Sequence, residues 1–435
     1  MKKIILCVIA LFFALVLGTC AMGDSAESGS YSGSGDGGDR SFPSWDGSSG
    51  DSPNEKPNKP SAGQLTCGEW SDIKNYDFYL NLFINKDDPE VEDDSEFGDA
   101  PEFGDIPEIK ENQKRKNYSR FIGYFGFETR YMVTVNVVNG ENPVNDASVE
   151  LYDSQAKLFT AKTDMRGNAF LFPKNDLDGK NITVKVKSGT FSSEETIPYT
   201  GEIVKITLEN SIKPESILDL MFVIDTTGSM GDELNYLKSE IDDVIGKISK
   251  DNQNLTVRLA LLFYRDFGDE YVTRYFNFST DIKAQQANLA RQRATGGGDF
   301  PEAADVALKE AVEKNWSDNS VRLIFHVCDA RPHTDKERQG SEARYFNAIK
   351  SAAEKGIRII PVASSGIDLA TEFLLRQEAI MTGGTYIFLT DDSGIGEPHL
   401  EPTVGEFTVE YLNACMIRVV NEYLTGIATD PVSYY

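Results

Sequence analysis

The sequence has few of the residues that build disulfide frameworks or zinc sites. It contains five cysteines and three histidines among 435 residues, and their spacing matches no zinc-ligand pattern. Disulfide-stabilised folds are small and dense in cysteine, so a disulfide framework is not expected in a chain of this length. Cys328 lies in an apolar strand pattern and Cys415 in an apolar helix pattern, and we expect both to be small buried side chains.

Long apolar runs are also scarce. The one strongly apolar run extends from residue 4 to residue 17, directly after Lys2 and Lys3. Its fourteen residues are short for a membrane-spanning helix and typical of the core of a signal peptide. Residues 1–20 are therefore predicted to direct export, and no other stretch is apolar enough to span a membrane.

The end of this segment, LGTC at residues 17–20, resembles the lipobox at which bacterial lipoproteins are cut and acylated on cysteine. Thr19 departs from the Gly, Ala or Ser that is usual there. The resemblance implies lipidation of Cys20, so that the protein is anchored in the cell envelope. The alternative is cleavage after Ala21, which would release a secreted or periplasmic protein.

Basic residues are the minority among the charged side chains. There are 43 Lys and Arg against 69 Asp and Glu, a net charge of −26. A field of this sign disfavours binding to nucleic acid and to anionic lipid, and it suits a metal ion or a cationic partner. We therefore expect no nucleic-acid partner, and contact with a membrane only through the N-terminal lipid.

The length is enough for two or three folded units, but the first quarter of the chain has little to fold. Residues 21–64 consist mostly of Gly, Ser, Asp and Pro and are predicted to be a disordered tether. Residues 65–85 mix aromatic and polar positions and are predicted to be a short helical or packing segment. Residues 86–112, with the repeat EFGDAP and EFGDIP, match no EF-hand spacing and are predicted to be a solvated acidic linker.

Residues 131–210 contain short runs that alternate apolar and polar side chains, separated by Gly, Asn and Asp turns. This pattern predicts a small antiparallel β-sandwich. The region resembles the carboxypeptidase-regulatory-like and transthyretin-like Ig-type modules. The resemblance rests on the turn TDMRG at 163–167 and on a second set of positions: Pro143, Val144, Ala147, Val149 and Leu151. It implies a spacer or an accessory binding module without catalytic residues.

From residue 217 to residue 426 near-continuous apolar runs alternate with amphipathic stretches of helical period. The first run, 218–225, and a later one, 321–328, have the composition of parallel strands that are buried on both faces. Such alternation predicts an α/β fold with a doubly wound, mostly parallel sheet and helices on both sides. In sheets of this kind ligands bind beyond the carboxyl ends of the strands, so the residues after each strand are candidate site residues.

Oxygen-bearing side chains follow the first run. Asp225, Thr227 and Ser229 alternate through the turn DTTGS, and they present a carboxylate and two hydroxyls to the same point. Oxygen ligands of this kind suit Mg²⁺ or a similar hard cation. We also expect Ser229 to cap the helix that follows.

Two further loops are predicted to supply oxygen ligands to the same point. Asp329 follows the run 321–328, which is expected to lie beside the first strand. The loop ATGGGDFPEA places Thr295, Asp299 and Glu302 just before a helix. These three residues are alternative ligands from the second loop.

The D-x-T-x-S pattern together with the later Asp resembles the metal-ion-dependent adhesion site of the von Willebrand factor type A domain, over residues 217–426. The resemblance implies that Asp225, Thr227 and Ser229 hold Mg²⁺, Mn²⁺ or Ca²⁺, with Asp329 bound directly or through water. GGGD before PEA resembles the second loop of bacterial members and favours Asp299 there. The sequence CDARP departs from the TDGxP of many members, around Asp329.

The resemblance implies binding rather than turnover, with one position on the metal left open for a carboxylate of a partner protein. Enzymatic patterns are missing from the candidate loops: Thr227 replaces the second Asp of a D-x-D phosphatase, and neither a phosphate-binding loop nor a G-x-S-x-G elbow is present. A metal-dependent hydrolase of the envelope stays open as the alternative, because carboxylates beside an ion can activate water.

Overall fold

The structure is a computed structural model, and it describes residues 60–84, 118–154, 156–213, 215–298 and 300–435. Several sequence predictions lie outside the described residues, namely the signal peptide with Cys20, the tether up to residue 59, the acidic linker 86–112, and Asp299.

The first described segment forms a strand and a short helix, β1 (Thr66–Trp70) and α1 (Tyr76–Asn81). The sequence predicts only a short helical or packing segment for residues 65–85, so the strand is a correction. The strand could not be recognised from the sequence. Four of its five residues are buried, so it does not show the alternation of apolar and polar side chains that marks a strand with one wet face.

The chain is fixed in place just before β1. The backbone N–H groups of Gly63, Gln64 and Leu65 donate to the buried carboxylate of Glu240 at 2.8, 2.8 and 3.0 Å. A carboxylate that accepts several backbone N–H groups is well satisfied even when it is buried. The predicted tether therefore ends earlier than Gln64, since residues 63 and 64 are bound to the folded part.

Two small sheets follow. Their strands are β2 (Val133–Asn139), β3 (Asn142–Pro143), β4 (Ser148–Asp153), β5 (Ala156–Lys162), β6 (Asn168–Leu171), β7 (Asn181–Ser188), β8 (Phe191–Pro198) and β9 (Val204–Thr207). One sheet has the order β3–β2–β6 with β9 also on β2, and the other has the order β5–β4–β7–β8. The pairing of β2 with β9 is parallel, which the predicted antiparallel sandwich did not include.

The TDMRG sequence forms the turn between β5 and β6. One carboxylate oxygen of Asp164 accepts the backbone N–H groups of Arg166 and Asn168 at 2.9 and 2.8 Å. Gly167 has a φ of 79°, and a Cβ there would lie 2.4 Å from the carbonyl oxygen of Val137. Only glycine fits this position, so the motif is a structural turn.

The rest of the described chain forms the α/β part. Its strands are β10 (Ile217–Asp225), β11 (Thr256–Tyr264), β12 (Thr273–Ser279), β13 (Val321–Cys328), β14 (Ile357–Ala363), β15 (Tyr386–Leu389) and β16 (Glu410–Tyr411). Its helices are α2 (Leu234–Asp251), α3 (Ile282–Ala290), α4 (Ala304–Val312), α5 (Ser341–Lys355), α6 (Leu369–Thr382) and α7 (Leu412–Thr425).

These strands and β1 form one mixed sheet in the order β12–β11–β10–β13–β14–β15–β1–β16. The five central strands, from β11 to β15, are parallel, whereas β12 and β1 run antiparallel to their neighbours. Side chains of α2, α3 and α7 share one apolar core, and side chains of α4, α5 and α6 share another with the small sheets. Helices thus cover both faces, as predicted for a doubly wound fold.

Helix α6 is buried on all sides, because the small sheets and the N-terminal segment cover what would be its wet face. Its Arg376 is fully buried and is satisfied by Asp72, with 2.8 Å between Nε and Oδ2, and by the hydroxyl of Tyr118 at 3.0 Å. Among the helices in the described ranges, none has the length and apolarity needed to cross a membrane.

The topology makes one edge of the large sheet, formed by the carboxyl ends of its parallel strands, the expected place for a ligand site. Strand β10 lies between β11, which follows it in the chain, and β13, which comes later. The chain therefore leaves β10 first on one side and then returns on the other. A crevice forms at the carboxyl ends of two such strands, and Asp225 and Asp329 lie there.

Candidate metal centre

The first loop is organised around the carboxylate of Asp225, the last residue of β10. Both the backbone N–H and the hydroxyl of Thr227 donate to its Oδ1, at 2.8 and 2.7 Å. The hydroxyls of Thr227 and Ser229 are 3.2 Å apart. Asp225 and Thr227 are completely buried, whereas Ser229 is exposed, so the group is accessible from solvent at Ser229.

The third loop joins this group because β10 and β13 are neighbours. Asp329 directly follows β13 and is buried, and its carboxylate accepts a hydrogen bond from the hydroxyl of Ser229. The structure therefore brings together four of the predicted ligands, Asp225, Thr227, Ser229 and Asp329.

The second loop is tied by its backbone to the other two. The N–H of Thr295 donates to the carbonyl of Thr226, and the N–H of Gly228 donates to the carbonyl of Gly296, both at 3.0 Å. At the other end of the loop, the N–H of Glu302 donates to the carbonyl of Arg331 at 3.0 Å. These bonds hold the three loops against one another.

Gly297 allows the second loop to approach the first. Its φ is 73°, and a Cβ there would lie 3.0 Å from Oε1 of Glu302 and 3.3 Å from Cβ of Thr227. A side chain would therefore crowd the two groups, and the glycine keeps Thr227 and Glu302 close to each other.

The three alternative second-loop residues differ in their surroundings. Asp299 lies outside the described residues. Thr295 is exposed, and within the described ranges no side-chain hydrogen bond joins it to the other loops. Glu302 is buried, with 3% of its surface exposed, and it interacts electrostatically with Asp225 and Asp329.

The carboxylates raise one another's pKa. Burial raises the pKa of Asp225 well above its usual range, and the nearby Asp329 adds to this effect. Burial and the charges of Asp225, Asp266, Asp329 and Asp269 raise the pKa of Glu302 to about 10. The pKa of Asp329 is raised by burial to about 6, although the hydrogen bond from the Ser229 hydroxyl opposes the shift. Like charges held this close in a buried place favour a bound cation.

Three carboxylate oxygens at this edge are buried without a hydrogen-bond partner. They are Oδ2 of Asp225, Oδ1 of Asp329 and Oε2 of Glu302. Unsatisfied buried polar atoms are rare in folded proteins, because each one costs the free energy of its lost hydration. Together with the hydroxyls of Thr227 and Ser229, they fit the oxygen-ligand preference of Mg²⁺ and Ca²⁺.

Carboxylates alone do not complete such a centre. In the part of the chain that the structure describes, no three His, Cys, Asp or Glu side chains are grouped so that they could hold a metal ion. Any ion at this edge would depend on the hydroxyls of Thr227 and Ser229 as well as on the carboxylates.

One expectation about the first loop is wrong. Ser229 does not cap α2: it lies in a short 3₁₀ turn, Gly228–Gly231, and the N-cap position of α2 is Glu233, without a side-chain capping bond. The turn separates Ser229 from the helix, and its hydroxyl is used towards Thr227 and Asp329 instead.

Two acidic residues near the centre were not predicted from the sequence. A carboxylate oxygen of Asp266 lies 2.7 Å from Nε2 of His333, within hydrogen-bond distance. A carboxylate oxygen of Asp269 accepts a hydrogen bond from the backbone N–H of Gly297 at 2.9 Å. Both follow β11. Ligands bind beyond the carboxyl ends of parallel strands, so the residues after β11 are candidates in the same way as those after β10 and β13.

A second unpredicted pair is Glu233 with His399, and the charge of Glu233 also acts on Asp329. Glu233 is completely buried, and its Oε1 is 2.9 Å from Nε2 of His399, while Nδ1 of His399 is 2.7 Å from Asp391. Burial alone would lower the pKa of His399, but its hydrogen bonds to Glu233 and Asp391 outweigh burial and raise it. Glu233 is only four residues beyond Ser229, whereas nothing in the sequence indicates that His399 joins it.

Comparison with known proteins places these loops in one family. Residues 219–365 match the family described as von Willebrand factor A domain. The chain is 24% identical over 229 residues to the ariadne-like RING finger protein R811 of Acanthamoeba polyphaga mimivirus, covering 49% of this chain and 21% of that protein. It is 29% identical over 142 residues to the alpha-protein kinase vwkA of Dictyostelium discoideum, covering 32% of this chain and 22% of the kinase. The chain thus spans about a fifth of the length of the curated relatives it matches.

Solved structures include similar chains at low identity. The conserved hypothetical protein BatB from Bacteroides thetaiotaomicron aligns with a TM-score of 0.30 and 16% identity, covering 39% of this chain and 89% of that one. The loops that carry Asp225, Thr227, Ser229, Glu302 and Asp329 all fall within the matched residues. The chain therefore contains a von Willebrand factor A domain, with the candidate metal centre at the carboxyl edge of its sheet.

Proposed function

We propose that the von Willebrand factor A domain holds a divalent cation, Mg²⁺ or alternatively Mn²⁺ or Ca²⁺, and uses it to bind a carboxylate of a partner protein. The observation that carries the proposal is the set of three buried carboxylate oxygens without partners, on Asp225, Glu302 and Asp329. Like-charged groups in this arrangement are stabilised when a cation is present.

Each residue of the centre has a proposed part. Asp225, Thr227 and Ser229 hold the ion from the first loop, and Asp329 holds it directly or through water. The second loop contributes Asp299, as the resemblance implies, or Glu302, as its burial beside Asp225 favours. When bound, the ion supplies an open coordination position for an oxygen of the partner's carboxylate.

The proposed partner is a protein with an accessible acidic side chain. Such a side chain could reach the centre because exposed Ser229 leaves one side of it open to solvent. The chain as a whole is net negative, so a bound cation would also offset repulsion from an acidic partner. We propose binding without turnover. The groups around the centre serve as ligands or as hydrogen-bonded supports of ligands, such as Asp269 with the N–H of Gly297.

The proposed location is the cell envelope. Export by residues 1–20 and lipidation of Cys20 would attach the chain to a membrane, and the residues up to about 60 would act as a tether. The two small sheets between β2 and β9 would serve as an Ig-like spacer or accessory module. Without lipidation, the same protein would be secreted or periplasmic.

The test is metal-dependent retention of a partner. The purified full chain is immobilised and exposed to envelope and extracellular proteins in Mg²⁺, and bound protein is eluted with EDTA. We expect EDTA to elute a protein from the wild type but not from Asp225→Ala. Asp178→Ala, at an exposed turn of the small sheets, is the matched control and should behave as wild type. Equal retention by Asp225→Ala, with its fold retained by circular dichroism, would contradict the proposal.

A further inference from the structure

Two fully buried thiols lie close together between β1 and α7. Cys67 lies in β1 and Cys415 in α7, and both belong to the same apolar core. A hydrogen bond from Cys67 and burial both raise the pKa of the Cys415 thiol well above its usual range. The two side chains are therefore in contact, although the sequence separates them by more than three hundred residues.

The register of β1 on α7 explains the contact. On one side of the pair, the N–H of Leu412 donates to the carbonyl of Leu65 at 2.9 Å. On the other side, the guanidinium of Arg418 donates to a carboxylate oxygen of Glu69 at 3.3 Å. Along the strand the contacts advance by two residues, from 65 to 67 to 69, and along the helix by three, from 412 to 415 to 418. Both spacings keep side chains on one face of their element. Cys67 and Cys415 are the middle pair of this series.

The third cysteine of the described chain provides an internal comparison. Cys328 is also fully buried, at the end of β13, but it belongs to the core on the opposite face of the sheet. The sheet separates it from Cys67 and Cys415, so the fold selects a single pairing among the three thiols. A disulfide requires Cα atoms within about 7 Å, whereas β13 lies three strands away from β1 in the sheet, at about 4.8 Å per strand.

We propose that Cys67 and Cys415 form a disulfide that fastens β1 to α7 when the chain folds in an oxidising compartment. The inference depends on the proposed export and is independent of metal and partner binding. The oxidant is a disulfide-bonded thiol compound or oxidoreductase. One cysteine thiolate attacks its disulfide and releases one thiol, and the second cysteine thiolate then displaces the other. The pair loses two electrons and two protons, and the oxidant becomes two thiols.

Burial determines when this exchange takes place. Both thiols have no exposed surface, and the raised pKa of Cys415 keeps it protonated in the folded state. Thiolate is the reactive form, so oxidation occurs as β1 docks or when it transiently opens. Once formed, the bond is shielded from reductants by the same burial.

The disulfide would reinforce the point where the N-terminal chain enters the sheet. Strand β1 pairs with β15 over four residues and with the short β16 over two. Together with the bonds from residues 63–65 to Glu240, these contacts carry any pull on the N-terminus into the domain. If the chain is anchored at Cys20 as proposed, a covalent bond from β1 to α7 would keep β1 paired in the sheet when the N-terminus is pulled.

The test is peptide mapping of the full chain, refolded in a mixture of oxidised and reduced glutathione with EDTA present. Free thiols are alkylated under denaturing conditions without reductant, and the tryptic peptides are identified by mass spectrometry. We expect the peptides with Cys67 and Cys415 to be linked in most molecules, and Cys328 to be alkylated. We also expect the melting midpoint to fall by several degrees on reduction.

Three variants sharpen the result. Cys67→Ala and Cys415→Ala should lose the linked peptides and the effect of reductant on the melting midpoint, whereas Cys328→Ala should keep both. If a variant fails to fold, the map of the wild type still decides. Alkylation of both Cys67 and Cys415 in the oxidised wild type, or linkage of either one to Cys328, would overturn the proposal. Because EDTA is present, this outcome is separate from any failure of metal binding.

Discussion

Thr227 donates twice to the same oxygen of Asp225, through its backbone N–H at 2.8 Å and through its hydroxyl at 2.7 Å. The second oxygen of Asp225 is buried and has no partner. The loop thus satisfies one half of the carboxylate and fixes its orientation, while the other half stays unpaired and interacts electrostatically with the carboxylates of Asp329 and Glu302. This arrangement costs stability unless a cation occupies it.

Removing the Thr227 hydroxyl should weaken metal binding more than it weakens the fold. Thr227→Val keeps the shape and the backbone bond to Asp225 but removes a hydroxyl ligand, so we expect a loss of about 1 kcal/mol in the free energy of unfolding without metal. The rise in melting midpoint on adding Mg²⁺ should shrink strongly. Thr207→Val is the control, because Thr207 is exposed on β9 of the small sheets and is not a candidate ligand. A full Mg²⁺ response in Thr227→Val would argue against a hydroxyl ligand there.

Metal affinity should rise with pH. The pKa of Asp329 is raised to about 6, and burial raises that of Asp225 well above its usual range, so the metal-free centre holds protons at mildly acidic pH. A metal ion must displace these protons, because a carboxylate binds metal in its charged form. Calorimetric titration with Mn²⁺ in two buffers of different ionisation enthalpy should reveal proton release, and the affinity should fall below about pH 6. An affinity that does not change between about pH 5 and pH 8 would contradict this expectation.

Glu302→Gln should remove a pH-dependent loss of stability. The folded-state pKa of Glu302 is about 10, above its ordinary value, so the metal-free folded state binds this proton more tightly than the unfolded state. Its contribution to stability is therefore greatest at low pH and is lost as the pH rises towards 10. We expect the urea midpoint of metal-free wild type to fall between about pH 6 and pH 9, and that of Glu302→Gln to fall less.

The same variant distinguishes the second-loop ligands. If Glu302 holds the ion, the Mg²⁺-induced rise in melting midpoint should be smaller in Glu302→Gln than in Asp299→Asn. The opposite order would assign the role to Asp299, and a loss only in Thr295→Ala would assign it to Thr295.

His399 should stabilise the fold mainly below neutral pH. Its pKa is raised by the hydrogen bonds to Glu233 and Asp391, despite burial. For a base with a raised pKa, the stabilisation is complete below the ordinary value of about 6.5 and is lost as the pH rises through the folded-state pKa. His399→Gln should therefore differ from wild type by about 1 kcal/mol in the free energy of unfolding near pH 5.5, and by less near pH 9. A gap that grows with pH would show that His399 is not held as a cation between the two carboxylates.

The α/β part of the fold could be predicted closely, because its elements carry strong local patterns. The apolar runs 218–225 and 321–328 correspond to the strands Ile217–Asp225 and Val321–Cys328. Both strands are buried on both faces, so their sequences are almost continuously apolar and are easily recognised as buried parallel strands. The first loop could be predicted for the same reason, since Asp225, Thr227 and Ser229 lie within five residues.

The rest depends on contacts between distant residues. Strand β1 joins the sheet beside β15, more than three hundred residues later, and only its tertiary neighbours make it a strand. Glu240 is an ordinary helix residue in the sequence, yet in the structure it receives the N–H groups of residues 63–65. The pairing of His399 with Glu233, and the burial that raises the pKa of Glu302, arise in the same way.

Direct titration of a divalent ion into the metal-free full chain tests the central claim. Calorimetry with Mn²⁺ and Mg²⁺ should show saturable binding of one ion per wild-type chain at about pH 7.5, and the ion should raise the melting midpoint by mass action. Asp225→Ala and Asp329→Ala should bind at least about tenfold more weakly, a difference of about 1.4 kcal/mol, while Asp178→Ala should match wild type. The absence of binding in the wild type, or equal binding in Asp225→Ala, would contradict a metal centre at this edge of the sheet.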